Sequence, residues 1–283
     1  MNTPVLCVHH GLPRRSKVGV IQRPPRALKG APFVAKLLIE KGASIVATDK
    51  SGRTPLMLTM LHNWRRMTIA KMLIDENVPL ETVDRKGMTA LMLASSNGCL
   101  TMAKLLIKKG CRLDLAAFDG RTPLIHALYA DELAITQLLI EEGAPLDEPI
   151  ECRWSPLMLA LDRNHLTMAK LLIEKGCSTD TVTQAGRTPL LYALYKGHLV
   201  IAELLIRKGC PLDSADAEGY TPLIYASSKG HLAIAELLLA NGCRLVLSDR
   251  KGRTPLFHAL SEGHSVMAEL LRKRGCRVLI LYP

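Results

Sequence analysis

The chain has 283 residues, 48% hydrophobic but only 4% aromatic, with a formal net charge of +11. A core of Leu, Ile, Ala and Met favours packed helices over a β-sandwich, whose strands take aromatic and β-branched residues. With no apolar run near the roughly 20 residues of a membrane span and no apolar secretory leader at the start, the chain reads as soluble and cytoplasmic. Residues 1–39 hold seven basic residues and no acid, whereas 40–283 hold 30 basic against 26 acidic residues. The excess charge therefore sits in the head, and the nearly balanced body argues against a nucleic-acid partner.

Taken in chain order, residues 1–32 carry Pro4, Pro13, Pro24, Pro25 and Pro32 without a helical period, and are expected to form a disordered basic head. The segment PRRSK (13–17) leaves a nuclear or anionic-surface role open, and the prolines count against an amphipathic mitochondrial leader. Residues 33–48 read as half a unit, a single helix over FVAKLLIEKG. From residue 49 the chain repeats. A Thr or Ser falls at 54, 89, 122, 155, 188, 221 and 254, spaced 35 and then 33 residues, in stretches such as GRTPLML, GRTPLLY and GYTPLIY. Such a period marks a stacked array, here with units at 49–83, 84–116, 117–149, 150–182, 183–215, 216–248 and 249–283. Each reads as a helix pair. The Thr or Ser caps helix one, Pro fits its first turn, a small residue five later lets helices approach, and helix two runs to a Gly that ends it.

The 33-residue period, the T-P-L-x-x-A start and the G-H-L-x-x-A-x-L-L centre resemble ankyrin repeats, from residue 33 to about 281. The resemblance implies an all-α solenoid of stacked helix-turn-helix units with β-hairpin-like finger loops, presenting fingers and helix-one ends on a concave face. Three departures stand out. The family's usual His three after the Thr is Met57, Met92, Ile125, Met158, Leu191, Ile224 or Phe257, so an inter-repeat polar contact is exchanged for apolar packing. The first unit has two extra residues near NWRR (63–66). The unit at 150 has Arg153 where the others have Gly, and is expected to bend its finger and shift Trp154. The half unit at 33 and the apolar close CRVLILYP also suggest exposed or partner-covered ends, or a piece of a longer array.

Cys111, Cys177, Cys210, Cys243 and Cys276 all follow the Gly that ends helix two, in a slot that Ala43, Val78 and Ala144 fill elsewhere. That pattern means small and buried. Stacked equivalents about 8–10 Å apart lie beyond the roughly 7 Å reach of a disulfide, and no C-x-x-C pair suggests zinc. His198, His231 and His264 recur at the repeat period and read as polar residues of the interhelical turn. No phosphate-binding, dinucleotide, metalloprotease or serine-hydrolase motif is present, so neither an enzyme nor a cofactor or small-molecule substrate is expected.

Of eleven aromatic residues, seven lie between 118 and 225. By the resemblance, Arg121, Trp154, Arg187 and Tyr220 are finger positions, and Tyr129 and Tyr195 lie at helix-one ends. Tyr192 and Tyr225, four after the Thr, are either part of that surface or the edge of the core. Tyr and Trp beside Arg are what binding hot spots favour. The expected partner is thus a protein or an extended peptide with apolar and acidic side chains, held on the concave face of the units from 117 to 216. The alternative is nucleic-acid or anionic-surface binding through the head and finger arginines.

Overall fold

A computed structural model describes residues 31–61, 67–150 and 154–276. The head up to residue 30, the insertion at 62–66, the finger tip at 151–153 and the chain end from 277 lie outside the described residues. Helix α1 (Ala31–Glu40) precedes seven helix pairs: α2 (Pro55–Met60) with α3 (Met67–Asp75), α4 (Ala90–Ser96) with α5 (Leu100–Lys108), and α6 (Pro123–Tyr129) with α7 (Leu133–Glu141). Next come α8 (Pro156–Asp162) with α9 (Leu166–Glu174), α10 (Pro189–Lys196) with α11 (Leu199–Arg207), α12 (Pro222–Ser228) with α13 (Leu232–Ala240), and α14 (Pro255–Ser261) with α15 (Ser265–Lys273). Within each pair the helices pack on each other, and the first helices stack from α2 to α14 as the second stack from α1 to α13. No helix among the described residues is long and apolar enough to cross a membrane.

Local chemistry starts and stops these helices as the sequence suggests. Thr54, Thr89, Thr122, Ser155, Thr188, Thr221 and Thr254 each accept from the backbone N–H three residues on, at 3.3 to 3.5 Å. Each cap thus satisfies a donor that the first turn leaves unpaired. Met57, Met92, Ile125, Met158, Leu191 and Ile224 are fully buried between units, each such side chain contributing about 1.5–3 kcal/mol by leaving water. Phe257 is half-buried. The column cysteines are buried and free, and burial pushes the Cys111, Cys177 and Cys210 thiols up to about 12. They pack as small apolar residues and are poor thiolates.

The turn histidines do more than the sequence reading gave them. Nε2 of His198 bonds the Leu161 carbonyl at 3.0 Å, and Nε2 of His264 the Ser228 carbonyl at 3.2 Å, each reaching one unit back. His165 Nδ1 lies 3.0 Å from the Asp131 carboxylate in the same way. Part of the polar stitching between units thus runs through the interhelical turns.

Candidate partner-binding surface

The fingers form the first wall of the surface. In all seven units the N–H of the residue five before the capping Thr or Ser donates to the carbonyl of the residue just before it, at 2.9 to 3.1 Å. The unit at 150 closes this way too, through Ile150 and Trp154. The distortion expected from Arg153 therefore does not reach the finger base that holds Trp154, and the tip itself is outside the described residues. Adjacent fingers are also bonded to each other, as in Arg85 N–H to Ser51 O at 3.0 Å and Ala217 N–H to Ala185 O at 2.9 Å.

Aspartates tie these fingers from within. Asp49, Asp84, Asp216 and Asp249 each accept, through Oδ1, the N–H groups two and four residues on, at 2.8 to 3.1 Å. The second oxygens of Asp84, Asp216 and Asp249 face finger arginines. Arg53 Nε lies 3.6 Å from Asp84 Oδ2, Arg187 Nε 3.6 Å from Asp216 Oδ2, and Arg253 2.7 Å from Asp249 Oδ2. Sequence reasoning missed this device, although an Asp five before the Thr in four of seven units was the signal.

Between fingers and helix-one ends runs a continuous row of rings. Trp154 meets Tyr192 (centroids 5.4 Å), Tyr192 meets Tyr195 (6.2 Å), Tyr195 meets Tyr225 (6.5 Å), and Tyr225 meets Tyr220 (5.3 Å). Tyr220 continues to His258 (5.1 Å), which sits beside Phe257 (6.0 Å). Six of the eight residues singled out from sequence thus come together, because Arg187 lies over the Tyr195 ring at 4.0 Å. Tyr195 is 50% exposed, whereas Tyr192 and Tyr225 are 6% and 8% exposed. These last two form the floor of the row. The Tyr192 hydroxyl donates to Asp162 at 2.7 Å and the Tyr225 hydroxyl to Asp216 at 2.8 Å. Burial, and then these carboxylates, push both phenols well above their usual range, so they remain donors.

Arg121 and Tyr129 form a second group. Arg121 lies over the Tyr129 ring at 4.2 Å, joined by Arg163 at 4.7 Å, a residue that sequence reasoning did not single out. Beneath them His126 occupies the slot of Tyr192, Tyr225 and His258, four after the capping Thr. His258 Nε2 has Asp249 Oδ2 of its own unit at 3.1 Å, but in the unit of His126 the aspartate position is Ala117. Its Nε2 has no hydrogen-bond partner. Burial holds its pKa down to about 4, with Asp119 opposing and Arg121 reinforcing the shift.

A hollow of about 700 Å³ on the other side, between α5 and α7, is lined by ordinary Lys and Glu with Leu100 and Leu138, and brings no convergent chemistry. No group of metal-ligating side chains occurs among the described residues.

Residues 27–117, 111–184, 176–249 and 213–280 match the family model described as ankyrin repeats (3 copies). Among solved structures, the chain is similar to an ankyrin repeat domain from Acinetobacter baumannii AYE, with 26% identity, a TM-score of 0.62, and coverage of 66% of this chain and 98% of that one. It is also similar to the ankyrin repeat domain of Bcl-3, a member of the IkappaB protein family, with 25% identity, a TM-score of 0.64, and coverage of 75% and 93%. A comparison with curated proteins finds no match.

Proposed function

The chain belongs to the ankyrin-repeat family, whose repeats generally act as protein-interaction modules, and from that premise we propose that it is a non-catalytic scaffold holding an extended segment of a partner protein along the concave row from Tyr129 to Tyr220. The observation that carries this reading is the unbroken contact of rings from Trp154 to Phe257, crossed by Arg187. Aromatic and Arg side chains on a rigid base lose little entropy on binding, and every finger is closed by the bond across its base, four of them further held by an aspartate. The alternative, an anionic polymer on the finger arginines, is disfavoured because Arg53, Arg187 and Arg253 already face the buried carboxylates of Asp84, Asp216 and Asp249. The cytoplasmic placement belongs to the same proposal.

The test selects displayed random peptides of roughly twelve residues, about 40 Å when extended, on the full chain. Tyr195→Ala should weaken the selected peptides by about 30-fold, the loss of one hot-spot aromatic, with an unchanged circular-dichroism spectrum. Lys175→Ala and Lys208→Ala, exposed beyond the second helices, should leave affinity as it is. Loss with the lysine changes and none with the tyrosine change would move the partner to the helix-two face.

A further inference from the structure

Four fingers present an arginine just before the capping Thr: Arg53, Arg121, Arg187 and Arg253. Two positions supply carboxylates to such arginines, the residue five before the Thr in the same finger and its equivalent in the next. Arg53 has Asp84, Arg187 has Asp216, and Arg253 has Asp249. Arg121 has neither, since Ala117 and Ile150 stand there. Its one ion-pair neighbour among the described residues is Asp119 at 3.5 Å, an exposed residue of the finger tip. Arg163, at the end of α8, has no carboxylate within ion-pair distance among the described residues, and the adjacent Asp162 is committed to the Tyr192 hydroxyl (2.7 Å) and to Lys196 (3.0 Å). Yet Arg121 and Arg163 are gathered on one ring, that of Tyr129. Two like charges on one ring repel each other, and a third, negative group between them relieves this.

Resting on the concave-face reading above, we infer that Arg121 and Arg163, held on Tyr129, are the acceptor for a carboxylate side chain, Asp or Glu, of the bound segment. The rest of the row takes apolar and aromatic side chains, because its cations at Arg187 and Arg253 are already matched by buried aspartates. The groove is therefore polar at the units of 117 and 150 and apolar at those of 183 and 216. Two units of stacking span about 20 Å, or about six residues of extended chain, so the partner carries its acid about six residues from its aromatic or apolar anchor. A nucleic-acid strand, with a charge on every nucleotide, would find no continuing line of unpaired cations among the described residues of this face.

The peptide selection described above tests this. On the full wild-type chain, selected peptides should share an Asp or Glu about six positions from an aromatic or large apolar residue. Replacing that acid by its amide should weaken binding about tenfold at low salt and less at high salt. Arg121→Gln and Arg163→Gln should each abolish the difference between acid and amide peptides. Ala117→Asp gives Arg121 the carboxylate that Arg253 has, and should abolish it too while strengthening rather than loosening the finger. Tyr195→Ala should instead weaken acid and amide peptides alike. Peptides that depend on Tyr195 but show no acidic position overturn the inference and leave the groove reading standing. Peptides that do not depend on Tyr195, or no peptides at all, overturn both. Tighter binding of a random single-stranded oligonucleotide than of any peptide, lost with Arg121→Gln, assigns the pair to phosphate and also overturns the inference.

Discussion

His126 shows what a repeat protein exposes at the scale of one residue, because its neighbours in the stack provide the controls. His258 has its Asp249 and Tyr225 its Asp216, whereas His126 has Ala117. It is 7% exposed, and its pKa lies at about 4 against an ordinary 6.5. A histidine depressed in the folded state stays neutral while the unfolded chain takes up a proton, so stability is fully present above about pH 6.5 and declines as pH falls toward 4. The loss between about pH 7 and about pH 5 amounts to roughly 2 kcal/mol, read as a lower urea midpoint. Ala117→Asp places a carboxylate against the ring and raises its pKa, so the variant should lose less than the wild type over that window. Equal losses would mean that the imidazole is not isolated from water as its burial indicates. The orphan was half-legible in the sequence. The polar series at the fourth position could be read from the period, and the missing aspartate only once the finger was seen to fold back on that series. The cysteine column was wholly legible, because its alternation with Ala and Val states both size and burial.

At the scale of the element, helix starts were readable because Thr, Pro and a following apolar run name the cap, the first turn and the buried face. The turns between paired helices were readable only in part. Gly197, Gly230 and Gly263 turn with positive φ, and so do Asp131 and Asn164 in the same place, showing that the left-handed conformation is kept when the glycine is not. What the sequence could not give was the histidine that follows, reaching across the unit boundary to a carbonyl 36 or 37 residues away. A side chain to carbonyl bond leaves no mark on the carbonyl's own residue type. The two functions separate by substitution. At Gly197 an added Cβ meets nothing within 4 Å, and Gly197→Ala should cost about 1 kcal/mol for the left-handed backbone alone. At Gly230 the same Cβ would stand 2.7 Å from Nδ1 of His264. Gly230→Ala should therefore cost clearly more in urea unfolding, since the ring must swing off the Ser228 carbonyl. If the two variants prove equally stable, the turn histidines contribute nothing to the stacking of units.

For the whole molecule, the candidate surface was legible as a concentration of scarce residue types, but its division was not. Counting aromatics put Tyr192 and Tyr225 beside Tyr195, and only packing shows two of them as floor and one as face. Arg163 went unnoticed because its partner ring, Tyr129, belongs to the preceding unit. The same nearest-neighbour logic governs stability. A stacked array is a sum of unit stabilities and interfaces, so a unit with one interface opens before a unit with two. Helix α1 packs on α3 and has no first helix of its own among the described residues. Val34 is 51% and Leu38 53% exposed there, while their equivalents in α9, Met168 and Leu172, are buried between α7 and α11. Hydrogen exchange of the full chain should therefore find the amides of 33–41 exchanging first and those of 166–174 near the global limit, a gap of several kcal/mol in opening free energy. A segment bound in the groove touches the middle units and not α1, so adding a selected peptide should slow exchange in the fingers and in α8, α10 and α12 and leave 33–41 unchanged. Protection of 33–41 matching that of 166–174 in the free protein would show that this apolar face is covered, and would place a second interface at that end of the stack.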